Sequence, residues 1–177
     1  MPLQIRPHVR DDSDRIAEIL AAGWRQAYGA FMPPAFLAPR SDPDWRRREI
    51  GEWLDEFAPG SEAVFVAELA GRVVGFIHME LGDKGGLGAT GVVNLLYVDA
   101  EAQGRGIGRA LLAAGAGWLL AHRPGPLALS AFRDNPFRAA YAALGGREMT
   151  EVPHLIEGQE IISVLYLWPD PRTLLQK

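Results

Sequence analysis

Gln103 to Gly108, QGRGIG, carry the clearest chemical pattern in the chain. They stand between an apolar run that stops at Asp99 and an apolar pattern that resumes with a different period. A strand that turns through glycines into a helix is suited to holding phosphate. Amides at a helix N-terminus have no acceptor inside the helix, carry partial positive charge and can converge on an anion. Gly104, Gly106 and Gly108 remove the side chains that would keep an anion away, and Arg105 and Arg109 add charge at the rim. The segment reads as a seat for a pyrophosphate, with a tight structural corner as the plain alternative. Two phosphate loops do not fit it. A nucleoside-triphosphate loop needs lysine and then serine or threonine after its last glycine, where this chain has Arg109 and Ala110. A dinucleotide turn needs G-x-G-x-x-G early in a βαβ unit, where this chain has G-x-G-x-G late.

The elements that must position this turn follow from periodicity and cap chemistry. Leu3–Val9 reads as a short strand. Asp11–Asp14, DDSD, offers capping side chains and negative charge to a helix with Ile16, Ile19, Leu20, Gly23, Trp24 and Ala27 at helical spacing; Pro33 and Pro34 close that region. Asp42–Phe57 is a second helix with a cap-like start. Ala63–Leu69 and Val73–Leu81 form a hairpin about the tight turn Ala70–Arg72. Gly91–Val98 is the strand entering the glycine turn, and Gly108–His122 is the helix leaving it. Leu127–Phe132 is a strand, and Asn135–Leu144 a helix with Pro136 at its first position and Gly145 at its end. Ile161–Trp168 is a closing strand, with one more near Arg147–Val152. Hairpins followed by a crossover make the sheet mixed. The expected fold class is therefore α/β (α+β): one domain over 1–177, with a mixed, mostly antiparallel sheet flanked by helices.

Composition narrows the chemistry. The 177 residues, 48% apolar and 23% charged, suit one globular domain with its own core. A net charge of −4 argues against general nucleic-acid binding, which relies on neutralising phosphates. There is no cysteine, so disulfides, thiolate metal sites and cysteine nucleophiles are excluded. The four histidines are scattered without ligand spacing, so no metal is expected. The start, MPLQIRPHVRDD, lacks the apolar core of a signal peptide, and no apolar run approaches the length of a membrane span. A cytoplasmic protein with no membrane partner is expected.

The glycine turn resembles the acyl-CoA motif of the GCN5-related N-acetyltransferases, Arg/Gln-x-x-Gly-x-Gly/Ala, with Gln103, Gly106 and Gly108 in its fixed places. The likeness runs from Val93 to Leu112: an apolar strand, Tyr97-Val98, a short acidic turn, the glycines and then Leu111-Leu112. It resumes at Asp134, Asn135, Tyr141, Leu144 and Gly145. With the element order it spans almost the whole chain, although its substrate-side half carries no motif.

The resemblance implies that the strand before the turn splays from its neighbour. The pantetheine arm of acetyl-CoA would lie in the gap against Leu96, Tyr97 and Val98. It implies a Val98 N–H aimed at the thioester carbonyl, where negative charge develops. The amides of Gln103, Gly104, Arg105, Gly106, Ile107, Gly108 and Arg109 would hold the pyrophosphate. Asn135 matches the asparagine that bonds the pantetheine arm and also suits a helix cap before Pro136. Tyr141 matches the tyrosine near the cofactor sulfur, a general acid for the departing thiolate. A thiol pKa of about 8.5 against about 10 for a phenol makes that transfer feasible but weakly driven. An aromatic on the buried face of a short helix is the alternative for Tyr141. Two departures stand out. The Asn135–Tyr141 spacing is one residue short, which leaves Asp134 as a rival for the asparagine place, and Gly145 is followed by Gly146 where an aromatic is usual.

A general base is not supplied by the usual place. Many relatives carry a glutamate early in the strand before the turn; the matching residue here is Val92. Glu80 and His78, two apart on the preceding strand and so on one face, are the catalytic candidates, directly or through a chain of waters; Asn94 could also order a water. A solvated strand end and a hydrogen-bonded wall residue are the alternatives. On the acceptor side, Trp24 and Tyr28 share a helix face, with Phe31, Phe36, Trp45 and Trp53 nearby. They suggest a partly apolar wall able to make cation–π contact with an amine, and core packing accounts for them equally well. The run Arg46–Arg48 reads as solvated surface.

The expected function is transfer of an acetyl or other short acyl group from acetyl-CoA to a primary amine of a small molecule or peptide, by direct attack in a ternary complex. A non-catalytic acyl-CoA sensor and a different nucleotide-dependent transferase are the rivals. The last strand, IISVLYLW, can complete the sheet or pair with a second subunit, homodimers being frequent in that family.

Overall fold

The structure is a computed structural model that describes residues 2–176. Its elements are β1 (Leu3–Pro7), α1 (Ser13–Tyr28), α2 (Pro34–Arg40), α3 (Pro43–Asp55), β2 (Glu62–Leu69), β3 (Arg72–Leu81), β4 (Gly91–Val98), α4 (Ile107–His122), β5 (Leu127–Phe132), α5 (Ala139–Ala143), β6 (Arg147–Ile156) and β7 (Gln159–Trp168). The strands form one seven-stranded sheet in the order β1-β2-β3-β4-β5-β7-β6. Every pairing is antiparallel except β4 with β5, so the mixed, mostly antiparallel sheet flanked by helices is what the chain builds.

Local chemistry explains most of the elements. The β2–β3 hairpin closes through Ala70 and Gly71, both at positive φ (53° and 76°), the two-residue turn whose twist suits a hairpin. Asp42 caps α3, accepting from the Asp44 N–H at 2.7 Å and the Trp45 N–H at 3.1 Å, with Pro43 in the first turn. The first helix starts differently from expectation. Asp12 does not cap forward; it turns back to accept from the Val9 N–H at 2.8 Å and from both ends of the Arg6 guanidinium. Pro34 begins α2 rather than closing the region, since proline at a first helical position forfeits no hydrogen bond. The helix expected over Asn135–Leu144 is only Ala139–Ala143, because Asn135 closes a local turn instead: its Oδ1 accepts from the Phe137 N–H at 2.9 Å.

Two apolar layers fix the sheet. On one face α4 lays Leu111, Leu112, Ala116 and Leu119 against Ile77, Met79, Val93 and Leu129. A Cβ at Gly115 would come within 2.8 Å of Met79 Sδ, so glycine sets how closely α4 approaches β3. On the other face α1 and α3 bury Ile16, Ile19, Leu20, Ile50 and Leu54 on Val64, Val66 and Phe76. β7 pairs with β5 on one side and β6 on the other, so it completes the sheet and is not free to pair with a second subunit; the edge strands are β1 and β6. The aromatic missing after Gly145 is supplied from β7. Trp168 packs where a Gly146 side chain would stand, 2.8 Å from its ideal Cβ, and donates its indole N–H to Leu144 O at 3.0 Å. Among the described residues no helix is long and apolar enough to cross a membrane.

Candidate functional site

β4 and β5 pair for only three residues, Gly91–Val93 with Leu127–Leu129, and then part. The partner β3 follows β4 to its end, with a bulge that leaves Asn94 unpaired between Val93 and Leu95. The parting opens a cavity of about 280 Å³ lined by Leu96, Tyr97, Val98, Ser130, Ala131 and Tyr141, and it runs up to the glycine turn. The Asp99 N–H is spent on Val74 O in β3. Amides alternate along a strand, so the Val98 N–H faces the gap. The Val98 carbonyl accepts from the Gln103 side chain at 3.0 Å, which ties the strand end to the turn.

The turn is held open by glycine. Gly104 and Gly106 both have φ of +75°, a region costly for other residues, and an ideal Cβ on either meets nothing within 4 Å. Gly106 precedes α4 as a cap without any side-chain hydrogen bond. None of the six amides from Gly104 to Arg109 donates to an acceptor among the described residues; the first helical bond is Ala110 N–H to Gly106 O at 3.0 Å. These free amides lie at the positive end of α4, with open space beside Gly104 and Gly106, a setting that suits an oxyanion. Gln103, Gly104, Gly106, Ile107 and Gly108 line the cavity, whereas Arg105 and Arg109 do not. Arg109 instead donates to Gln176 O at 2.8 Å.

Asn135 and Tyr141 reach the cavity from the opposite wall. The Tyr141 ring packs edge-on against Tyr166 with centroids 5.6 Å apart, and its hydroxyl bonds to no described residue. Burial pushes the Tyr141 phenol well above its ordinary range, with Tyr28 and Tyr166 adding to the effect. Two further phenols line the same space. Tyr28 and Tyr97 share a hydrogen bond of 2.9 Å, and burial raises the pKa of both. The Tyr97 ring lies against Gly23, whose Cβ would come 2.4 Å from it. The sequence placed Tyr28 on the acceptor side and Tyr97 on the cofactor strand; it offered no sign that their hydroxyls meet.

Glu80 and His78 are outside the cavity lining. Glu80 stands directly across the ladder from Val92, and its carboxylate takes a hydrogen bond from Asn94, which does line the cavity. His78 Nε2 lies 2.9 Å from Glu62 Oε1, with the ring edge-on to Trp53 at 4.5 Å. Burial pushes the His78 pKa down, against the opposing pull of Glu62. Burial would raise Glu62, but the Ala58 N–H, Trp53 and His78 together hold its carboxyl below the usual range. Ligand atoms of Glu62, His78 and Glu80 all lie within 4.8 Å of one another. Chain spacing hid this group, because β2 brings Glu62 beside β3.

Trp24 does not line the cavity either. It stands edge-on behind Tyr28, 4.8 Å between centroids, and the chain's own arginines lie against it. The Arg46 guanidinium is 5.0 Å from its centroid and that of Arg40 is 5.9 Å away. Arg46 thus departs from the solvated run expected for Arg46–Arg48, its side chain being only 6% exposed. α2, which the sequence did not show, folds over it.

Residues 60–145 match the family model of the acetyltransferase (GNAT) domain. The chain is 28% identical over 171 residues to the uncharacterized N-acetyltransferase YuaI of Bacillus subtilis (strain 168), covering 94% of this chain and 92% of that one. Its fold is that of a GCN5-related N-acetyltransferase from Rhodopseudomonas palustris, with a TM-score of 0.74 at 18% identity over 96% of each chain. It is similarly that of yncA, a putative acetyltransferase from Salmonella typhimurium solved with its cofactor acetyl-CoA, with a TM-score of 0.69 at 18% identity over 100% of this chain and 96% of that one.

Proposed function

Because the chain belongs to the GCN5-related N-acetyltransferase superfamily, we propose that it transfers an acetyl group from acetyl-CoA to a primary amine of a small molecule or peptide. The observation that carries this reading is the run of unpartnered amides from Gly104 to Arg109, opening onto the space where β4 and β5 part. The cavity residues Leu96, Tyr97 and Val98 on β4 and the free amides of the glycine turn support an acyl-CoA arm lying along β4 with its diphosphate at the turn. Acetyl-CoA supplies the activated thioester carbonyl. The gap-facing Val98 N–H donates to charge that develops on that oxygen. Asn135, whose Oδ1 is already committed to its own turn, offers its amide nitrogen to the arm. Tyr141 keeps its proton at neutral pH and delivers it to the leaving sulfur. With no cysteine to relay the acyl group, transfer to the amine is direct.

The acceptor ammonium must first lose a proton. Asn94 stands on the cavity wall and touches Glu80, so a water held by Asn94 leads the proton to that carboxylate. His78, kept neutral by burial and engaged with Glu62, leaves Glu80 as the base of the pair.

Thermal unfolding with ligands tests the cofactor, and free-thiol release tests the chemistry. Acetyl-CoA at about a hundred times its Kd adds about 2.7 kcal/mol. For a domain of this size that is an upward Tm shift of roughly 5–11 °C. ATP and NAD are expected to do little. Thiol release that depends on an added amine identifies the enzyme; a cofactor shift without such release from any amine identifies a sensor. Absence of any shift with acetyl-CoA removes the whole reading.

A further inference from the structure

Among the described residues three buried side-chain polar atoms have no hydrogen-bond partner: Trp24 Nε1, Ser41 Oγ and Arg46 Nη2. They fall in one neighbourhood. Arg46 Nε donates to Arg40 O at 2.9 Å, next in the chain to Ser41, and its guanidinium lies 5.0 Å from the Trp24 ring and 5.1 Å from Trp45. Arg40 lies flat over Phe36 at 3.5 Å and also reaches Trp24 and Trp45.

Two guanidiniums are thus crowded into one aromatic box. Among the described residues one carboxylate contacts the pair: Glu49 takes Arg46 Nη1 at 2.6 Å, is itself 44% exposed, and acts on Arg40 only from a distance. Glu157 acts on Arg40 from a distance, and Arg25 adds further positive charge by donating to Ser41 O at 2.6 Å. Burial and the charge of Arg46 both work against the charged form of Arg40. A core built only for stability would not set like charges together and leave buried donors idle. Arginine and the indole N–H can donate only, so whatever completes the box must accept. A planar oxyanion matches the fork of a guanidinium. The box also stands one aromatic layer behind the reaction cavity. Trp24 packs on Tyr28, and the Tyr28 hydroxyl meets that of Tyr97 on the cavity wall.

We propose that Arg40 and Arg46, with Trp24 Nε1 and Ser41 Oγ, form a subsite for a carboxylate carried by the acceptor amine. The subsite selects amino-acid-like or acidic peptide-like acceptors over plain alkylamines. This assignment rests on the acetyltransferase reading for the word acceptor, but the carboxylate site can be measured without any transfer.

Trp24 and Trp45 flank the arginines, so tryptophan fluorescence of the whole chain reports occupancy. The probes are N-acetylglycine, a carboxylate with the shape of a product, and N-acetylglycinamide, its neutral counterpart. A saturating change with the acid and none with the amide is expected. Arg40→Gln, at a half-buried position, should weaken the acid at least tenfold and leave the Tm shift with acetyl-CoA unchanged; Arg46→Met should do the same if it folds. Equal response to acid and amide, no response to either, or an undiminished response in Arg40→Gln overturns the subsite. Inorganic phosphate binding in preference to N-acetylglycine overturns the carboxylate assignment in favour of a free anion. Carboxylate binding that persists in a chain transferring to no amine supports the subsite and overturns the transferase reading instead.

Discussion

Tyr141 is set apart from the other phenols of the cavity by what it does not touch. Tyr28 and Tyr97 spend their hydroxyls on each other, whereas the Tyr141 hydroxyl bonds to no described residue, although its ring is fixed against Tyr166. Its raised pKa keeps the phenol protonated at neutral pH but also makes it a weaker acid, so it can donate only where the departing thiolate is itself poorly solvated. Tyr141→Phe keeps the ring and removes only that proton. It should lower kcat by about a hundredfold or more, the usual yield of a positioned general acid. The KM for acetyl-CoA should stay within a few-fold and Tm should hold, since no hydrogen bond to protein is lost. Steady-state thiol release on wild type and variant checks this. A fall in acetyl-CoA affinity with unchanged kcat would show that the hydroxyl binds rather than donates.

At the scale of elements, the proposed cofactor seat is the junction of β4 and α4. Gly106 lies at φ +75° with open space where a side chain would go. Gly106→Glu places a carboxylate in that space and an L-residue in the left-handed region, at a strain of about 1–2 kcal/mol. The variant should fold with a slightly lower Tm and lose at least a hundredfold in acetyl-CoA affinity, as read by calorimetry. Near-normal affinity would move the diphosphate elsewhere. This junction was legible in the sequence because each of its demands is local: positive φ calls for glycine, and a helix start leaves amides free wherever no side chain caps them. The α4 boundary fell within one residue of expectation for the same reason. Asn135 misled because the chemistry that caps a helix also closes a turn, and Pro136 suits both. The acceptor side was illegible for a different reason. Arg46 is buried between Trp24 of α1 and the end of α2, and Glu62 meets His78 only through the β2–β3 pairing, relations that no local pattern records.

For the whole molecule, the fold sets how stability answers to pH. β1, β2 and β3 gather His8 and His78 on the α1–α3 side, the first edge-on to Phe57 at 4.9 Å and the second to Trp53. Burial depresses the pKa of both. An unfolded chain takes up these protons near pH 6.5, while the folded chain refuses them until lower pH. The unfolded state therefore binds more protons below neutrality, and stability must fall as pH drops through about 6.5. Glu62, Asp12 and Glu18 have the same sign but a lower window, because their depressed carboxyl pKa values withdraw stability only as pH falls past about 4.5. Tm should thus be level from pH 8 to 7 and decline from 6.5 to 5, before carboxylate protonation begins. Each histidine can contribute at most about 1.4 kcal/mol per pH unit, or roughly 3–6 °C in Tm for a chain of this size. His78→Gln removes one of the two titrations, so its Tm should start lower and fall about half as steeply over that interval. A Tm that stays level or rises from pH 7 to 5 would mean that His78 is charged in the folded state. Glu62 would then hold an imidazolium, and Glu80 would face a cation instead of a neutral ring in the proposed proton transfer.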